Sequence, residues 1–414
     1  MYWMSGQPST GGRVLQKPTA GDLQHAPARE QGAWPHFAED EIAAVVDVLR
    51  SGRVNQWGGT HVEAFEAAMA RYHGVQHSVA VANGTLALDV ALRAFEIGPG
   101  DEVIVTARSF IASASCVSLL GAVPVFADVD PQSQNITPET VAPLITSRTR
   151  AIIPVHLAGW PCDMPGLMAL AKQHGLVVVE DCAQAIGARI GGQLVGTFGD
   201  AATFSFCQDK IISTGGEGGM IFFRDKQAWQ RGWSFKDHGK DYAKARQETS
   251  NGKFRWVHDS LGTNARLTEM QAAIGLVQLG KLDGWLAQRK ANAEIWHRAL
   301  SPLANVRVPT PGSDIVHANY KFYAFVVPER LRPGVDRDGL LDSLKAEGLI
   351  VRSGSCPEIY LEEAYADATV ERLPMARMLG ETSMMFEIHP TLDQSELTER
   401  AVATARVLAD HVAE

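Results

Sequence analysis

Leu176-Val177-Val178-Val179-Glu180-Asp181-Cys182-Ala183-Gln184, then Ala202-Thr203-Phe204-Ser205-Phe206-Cys207-Gln208-Asp209-Lys210 and the cluster Gly215-Gly216-Glu217-Gly218-Gly219, form the stretch around which the chain is organised. A short β-branched run bounded by polar residues reads as a strand buried on both faces, as in a parallel sheet. Such sheets bind ligands beyond the carboxyl ends of their strands. Asp181 and Lys210 each fall just past such an end, Lys210 after a strand closing at Phe206. A carboxylate and a lysine are thereby offered to one crevice.

The flanking text supports an alternation of strands and helices. Glu39 to Leu49 reads as a helix with acidic residues in its first turn and Ser51-Gly52 as its stop, and Val62 to Tyr72 as a second helix. Strands are expected at Ser78–Ala82, Glu102–Val105, Val123–Asp130 and Ala151–His156, and helices at Thr85–Phe95 and Met164–His174. That alternation from about residue 78 to 225 implies a mostly parallel sheet covered on both sides. Trp233 to Arg266 is polar and irregular, which inside a globular chain marks a functional loop or an interface. Leu267 to Leu300 is a long helical connector. Strand pattern at Tyr320–Val327 and helices at Asp338–Glu347 and Gln394–Ala413 describe a smaller α+β unit. Residues 1–33 read as a flexible leader, 34–285 as the large domain and 286–414 as the small C-terminal one.

With 414 residues, 45% of them hydrophobic and 21% charged, the chain has ample core, and a formal charge of −9 argues against a nucleic-acid-binding surface. No apolar run approaches the roughly 20 residues needed to cross a bilayer, and the start lacks the pattern of a signal peptide, so a cytoplasmic protein is expected. Cys116, Cys162, Cys182, Cys207 and Cys356 are scattered and odd in number, as in a protein of reduced thiols. His73 and His77 lie four apart, but Gly74 intervenes and no third ligand is in sight; they read as turn or surface histidines and no metal is expected.

Pyridoxal 5'-phosphate needs a lysine to carry it, a carboxylate to keep its pyridine nitrogen protonated, donors for its phosphate and a flat group over its ring. Lys210 and Asp181 answer the first two needs. A carboxylate beside Val177–Val179 is costly unless paired, and a protonated pyridine nitrogen is a natural partner; a buried helix cap is the alternative. Asn83-Gly84-Thr85 between a strand and a helix offers free N–H groups, a hydroxyl and the positive end of a helix dipole, although Asn-Gly-Thr also serves as a plain turn and cap. Ser205 is a further phosphate donor. Phe110 is either a ring cover or core, and Gln184 either touches the cofactor or caps backbone. The glycine cluster lacks the GxxxxGK[ST] spacing of nucleotide hydrolases.

Ala82-Asn83-Gly84-Thr85, Glu180 to Gln184, Ser205 to Lys210, Gly216-Glu217-Gly218-Gly219, His238-Gly239 and Gly262-Thr263-Asn264-Ala265-Arg266 together resemble the successive signatures of the DegT/DnrJ/StrS sugar aminotransferases. The likeness is collinear from Trp34 to Leu282 and more diffuse afterwards. It implies an aspartate aminotransferase-like fold type I, with a mostly parallel seven-stranded sheet, and a homodimer that shares its active sites. By position Lys210 corresponds to the Schiff-base lysine, Asp181 to the pyridine partner, Gln184 to a ring contact and Phe110 to the stacking aromatic. Gly84, Thr85 and Ser205 fall on phosphate-binding positions, and Asn264 on the residue that reaches the phosphate from the neighbouring subunit. Ala265 departs from the pattern, since relatives commonly carry an aromatic there, facing the substrate.

The expected activity is ping-pong transamination in amino-sugar, polysaccharide or antibiotic biosynthesis. L-glutamate or L-glutamine gives its amino group, pyridoxamine 5'-phosphate is the intermediate form, and a keto-sugar, in the family often nucleotide-linked, receives it. A keto-cyclitol is the alternative acceptor, and a non-catalytic pyridoxal-phosphate-binding regulator the alternative of another class. The family's sugar 3-dehydrases replace the lysine by histidine, so Lys210 speaks against that chemistry. His156, His238, Trp57, Tyr320 and Arg352 are substrate-side or structural.

Overall fold

The computed structural model describes residues 33–247, 254–366 and 370–413; the expected leader, apart from Ala33, lies outside them. Seven strands form the central sheet: β1 His77–Val81, β2 Glu102–Thr106, β3 Val123–Ala127, β4 Thr149–Ile153, β5 Val177–Asp181, β6 Ala201–Ser205 and β7 Gly219–Phe223. Their order is β1-β7-β6-β5-β4-β2-β3, and β7 alone runs antiparallel to its neighbours. β2 and β7 are buried throughout, as expected of strands covered on both faces. This is the mostly parallel α/β sheet that the resemblance implied.

The topology brings together residues far apart in sequence. Because β7 lies between β1 and β6, Gly219 pairs with Val81 on one side and Ser205 on the other. The helix Gly84–Ala94 starts directly beyond β1, capped by Asn83, whose Oδ1 accepts the Leu86 N–H at 2.9 Å. A Cβ on Gly84 would meet the Ser205 Cβ at 2.6 Å, and one on Gly219 the Asn83 carbonyl oxygen at 2.5 Å. Only glycine permits this close approach, and it leaves the open N-terminus of that helix beside the end of β6.

A second, three-stranded antiparallel sheet (β8 Val306–Arg307, β9 Phe322–Val326, β10 Ser383–Phe386) packs Phe322 and Phe386 against Trp296 and, with Leu340 and Leu408, builds its own core. The helix Glu269–Leu300 opens with a capping box between Thr268 and Gln271 and runs for 32 residues. A small sheet of Arg189–Ile190, Gln193–Leu194 and Ile315–Val316 joins the two regions.

Several boundaries differ from the sequence reading. Asp181 is the last residue of β5 rather than just past it, and β6 closes at Ser205, not Phe206. The stretch expected to be irregular from Trp233 contains the end of the helix Lys226–Lys236 and the short helix Tyr242–Arg246. The sequence reading passed over the helix Pro374–Thr382 and β10, whose Ser-Met-Met-Phe lacks the β-branched signature of a strand.

Candidate active site

Successive side chains on a strand face opposite ways, and β5 uses both sides of its end. Glu180 is completely buried: its carboxylate accepts N–H groups of Gly196 (2.8 Å), Phe198 (2.8 Å) and Gly199 (2.7 Å). His156 lies 3.1 Å from the same carboxylate, and its Nδ1 accepts the Cys162 N–H at 2.9 Å. The ring proton therefore sits on Nε2 and is donated to Glu180. His156, Glu180 and Cys182 are close enough together to hold a metal ion. Both imidazole nitrogens and both carboxylate oxygens already have partners, so the cluster is a brace that fixes the end of β5. His156 is thus structural.

Asp181 faces the other way. Its Oδ2 accepts from the Ser113 hydroxyl (3.0 Å) and its Oδ1 from the Ala183 N–H (3.1 Å), and Ser113 is 3.1 Å from Ser109. Burial raises its pKa above the ordinary carboxyl value, although those donors and the positive charge of Lys210 act in the opposite direction. A carboxylate in this state is stabilised by a cation placed against it. Ser113 stands three residues after Phe110, so one turn carries both the aromatic and the hydroxyl that orients Asp181. Phe110 is 45% exposed and so is not part of the core.

Lys210 lies in a turn in which its N–H donates to the Cys207 carbonyl (3.0 Å) and the Trp34 indole N–H donates to its own carbonyl (2.9 Å). Its Nζ is 3.8 Å from Asp209 Oδ1 and 5.0 Å from the centre of the Tyr320 ring. The Tyr320 hydroxyl donates to the other Asp209 oxygen, and Lys321 pairs with Glu387. Asp209 is held below the ordinary carboxylate range by Lys210, Tyr320 and Lys321, against the opposing effect of burial. Asp209, Lys321, Arg352 and Glu387 line a cavity of about 720 Å³.

The structure places the other expected residues as follows. Gly84, Thr85 and Ser205 converge at the helix N-terminus described above. Gln184 accepts the Ala158 N–H at 2.7 Å, so its oxygen caps backbone. Asn264 is exposed, while Ala265 is buried, accepting the Ala82 N–H at 2.8 Å and donating to Lys236 O at 3.0 Å. His73 is buried and kept neutral, its pKa pushed down to about 4 by burial, and His77 stacks on Trp229. Sequence reasoning missed Trp34, Ser113 and Asp209. Asp209 had a local signal in its adjacency to Lys210; Trp34 and Ser113 had none.

These groups fit pyridoxal 5'-phosphate. The donor set is of the right chemistry: a desolvated carboxylate, an exposed aromatic three residues from that carboxylate's hydroxyl partner, a glycine-walled helix N-terminus and a half-buried lysine whose charge acts on the carboxylate.

A profile of the DegT/DnrJ/EryC1/StrS aminotransferase family matches residues 35–404. The chain is 38% identical to a UDP-N-acetyl-3-dehydro-alpha-D-glucosamine 3-aminotransferase of Acidithiobacillus ferrooxidans, over 84% of this chain and 89% of that one. It is also 38% identical to GDP-perosamine synthase of Caulobacter vibrioides, over 91% and 97%. Its fold matches the crystal structure of an aminotransferase from Psychrobacter cryohalolentis with a TM-score of 0.90 at 46% identity, covering 92% of this chain and 99% of the other. The chain belongs to the DegT/DnrJ/EryC1/StrS aminotransferase family and is a pyridoxal-phosphate-dependent transaminase acting on small molecules.

Proposed function

We propose that this transaminase moves an amino group from L-glutamate or L-glutamine to the ketone of a nucleotide-linked sugar. The observation that carries the reading is the burial of Asp181 at the end of β5, where it accepts from Ser113 and the Ala183 N–H and feels the positive charge of Lys210. When bound, the cofactor supplies an electron sink for negative charge at the donor's α-carbon. Asp181 keeps that sink cationic by pairing with the pyridine nitrogen. Gly84, Thr85 and Ser205 hold the phosphate with backbone N–H groups and hydroxyls, and Phe110 covers the ring. Gln184, whose oxygen is held by the Ala158 N–H, would contact the ring. With the cofactor held there, the uncharged Lys210 amine would serve as the base that takes the proton from the donor's α-carbon and, as an ammonium, as the acid that gives it back. In the second half-reaction the same lysine runs these transfers in reverse on the acceptor.

The names of the UDP- and GDP-sugar relatives support a nucleotide-linked acceptor. The cavity beside Asp209 is within the usual size of a small-molecule site, and its mixture of acid and base suits a hydroxyl-rich ligand. The proposal extends to a homodimer in which Asn264 reaches the partner's phosphate. Asn264 is exposed, and nearby Trp256 (87%) and Leu261 (95%) present bare apolar surface. Division into units 34–285 and 286–414 belongs to the same reading, with the boundary inside the helix Glu269–Leu300.

The test is spectroscopic. Protein loaded with pyridoxal phosphate is mixed with L-glutamate or L-glutamine, and the visible band should bleach and return on addition of a nucleotide-linked keto-sugar with formation of the amino sugar. Lys210→Ala should fold and show no turnover. A band indifferent to both donors would favour a non-catalytic binding protein.

A further inference from the structure

We propose that Trp34 is a positioning residue for Lys210, holding the backbone of the lysine's turn at a fixed distance from the rest of the site. The proposal rests on the reading of Lys210 as the cofactor-bearing lysine. The Trp34 indole N–H donates to the Lys210 carbonyl at 2.9 Å across 176 residues of sequence. Tryptophan has a single donor at the end of a rigid bicyclic ring, so the position of the ring dictates the position of the carbonyl.

That ring is fixed from three directions. Trp285 meets it edge-on at 5.1 Å, the Arg289 guanidinium lies 5.1 Å over it, and the His389 ring stacks at 6.2 Å. Trp285 and Arg289 share one face of the helix Glu269–Leu300, being four residues apart. His389 follows β10, and its Nδ1 is 2.9 Å from the Thr391 hydroxyl, which donates to the Ala33 carbonyl at 3.3 Å. Ala33, next to Trp34, is thus tied to the segment that follows β10.

The same contacts return to the lysine side chain. Arg289 is 1% exposed and donates to the Tyr320 carbonyl at 3.1 Å. The Tyr320 hydroxyl donates to Asp209, and its ring faces Lys210 Nζ at 5.0 Å. Trp34, Arg289, Tyr320 and Asp209 therefore form a closed circuit that grips Lys210 by its backbone at one end and by its amine at the other. A lysine that must serve two carbon atoms in turn depends on such placement, since misplacement by about 1 Å can cost roughly 100-fold in rate.

The test compares Trp34→Phe, which keeps an aromatic ring and removes the N–H, with Trp285→Phe, which loosens the packing and leaves the N–H. Trp34→Phe should lower kcat about tenfold with the donor KM within about twofold. In its apoprotein, amide hydrogen exchange over residues 207–214 should accelerate severalfold, since the turn loses an anchor. Trp285→Phe, which leaves the N–H donor and the ring's contacts with Arg289 and His389, should lower kcat by less than about twofold. Equal losses in the two variants, or a Trp34→Phe protein with unchanged kcat and exchange, overturn the proposal. A dead Lys210→Ala beside an unaffected Trp34→Phe overturns the positioning role alone; normal turnover by Lys210→Ala overturns the assignment of the lysine as well.

Discussion

Replacing Asp181 by Asn should stabilise the empty protein and destabilise the loaded one. The ionised carboxylate accepts two hydrogen bonds, from Ser113 and Ala183, and hydrogen bonds to a charge are worth about 1.5–3 kcal/mol each. Burial nevertheless wins, since the folded pKa stands above the ordinary 3.8. The sign follows directly. A raised carboxyl pKa means that the folded state retains a proton the unfolded state has lost, so stability falls as pH rises from 3.8 towards the folded value and stays reduced above it. Asp181→Asn removes that decline. At pH 8 the variant apoprotein should be more stable than wild type by about 1 kcal/mol, the low end of the cost of burying an uncompensated polar group. Pyridoxal phosphate at about 100 times its Kd stabilises the wild type by about 2.7 kcal/mol. The variant, without a counter-charge for the pyridine nitrogen, should bind about 100-fold more weakly and gain almost nothing. Denaturant unfolding from pH 5.5 to 8.5, with and without cofactor, reads both effects. An apo variant weaker than wild type by the same margin at every pH would falsify the reasoning, because Asp181 would then be a turn cap and not a charge awaiting a cation.

Three further outcomes test other parts of the site. Lys210→Ala and Asn264→Ala, each inactive or nearly so alone, should regain about a quarter of wild-type activity per site when mixed and allowed to exchange subunits, because one of the two sites in each hybrid combines Lys210 of one subunit with Asn264 of the other; no recovery, with exchange verified, refutes shared sites. Gly84→Ala places a Cβ 2.6 Å from Ser205 Cβ, so pyridoxal phosphate affinity should fall at least about tenfold while overpacking costs about 1–3 kcal/mol, measured by cofactor titration and unfolding. Glu180→Gln leaves three backbone N–H groups and His156 competing for one acceptor, and should lower the unfolding free energy from denaturant titration by about 3 kcal/mol with cofactor stoichiometry retained in the folded fraction.

Much of this architecture was legible in the chain alone. Val177–Val179, Ile152–Ile153 and Val103–Val105 are continuous apolar runs, which a sheet covered on both faces accommodates, and short motifs at strand ends pointed to Asp181, Lys210, Gly84 and Ser205 as candidates. Those are local signals, because a strand, a turn glycine and a residue at a strand end are each set by neighbours within a few positions. What only the tertiary structure decided is which groups meet. The insertion of antiparallel β7 between β1 and β6 sets Gly84 against Ser205. The alternation along β5 sends Glu180 into a brace with His156 and Asp181 towards Ser113 on the opposite side. The packing of Trp34 against Trp285, Arg289 and His389 brings an indole to the Lys210 carbonyl from 176 residues away. No periodicity records such contacts, because they depend on how whole elements pack, and a sequence pattern reports only which side of its own element a residue occupies.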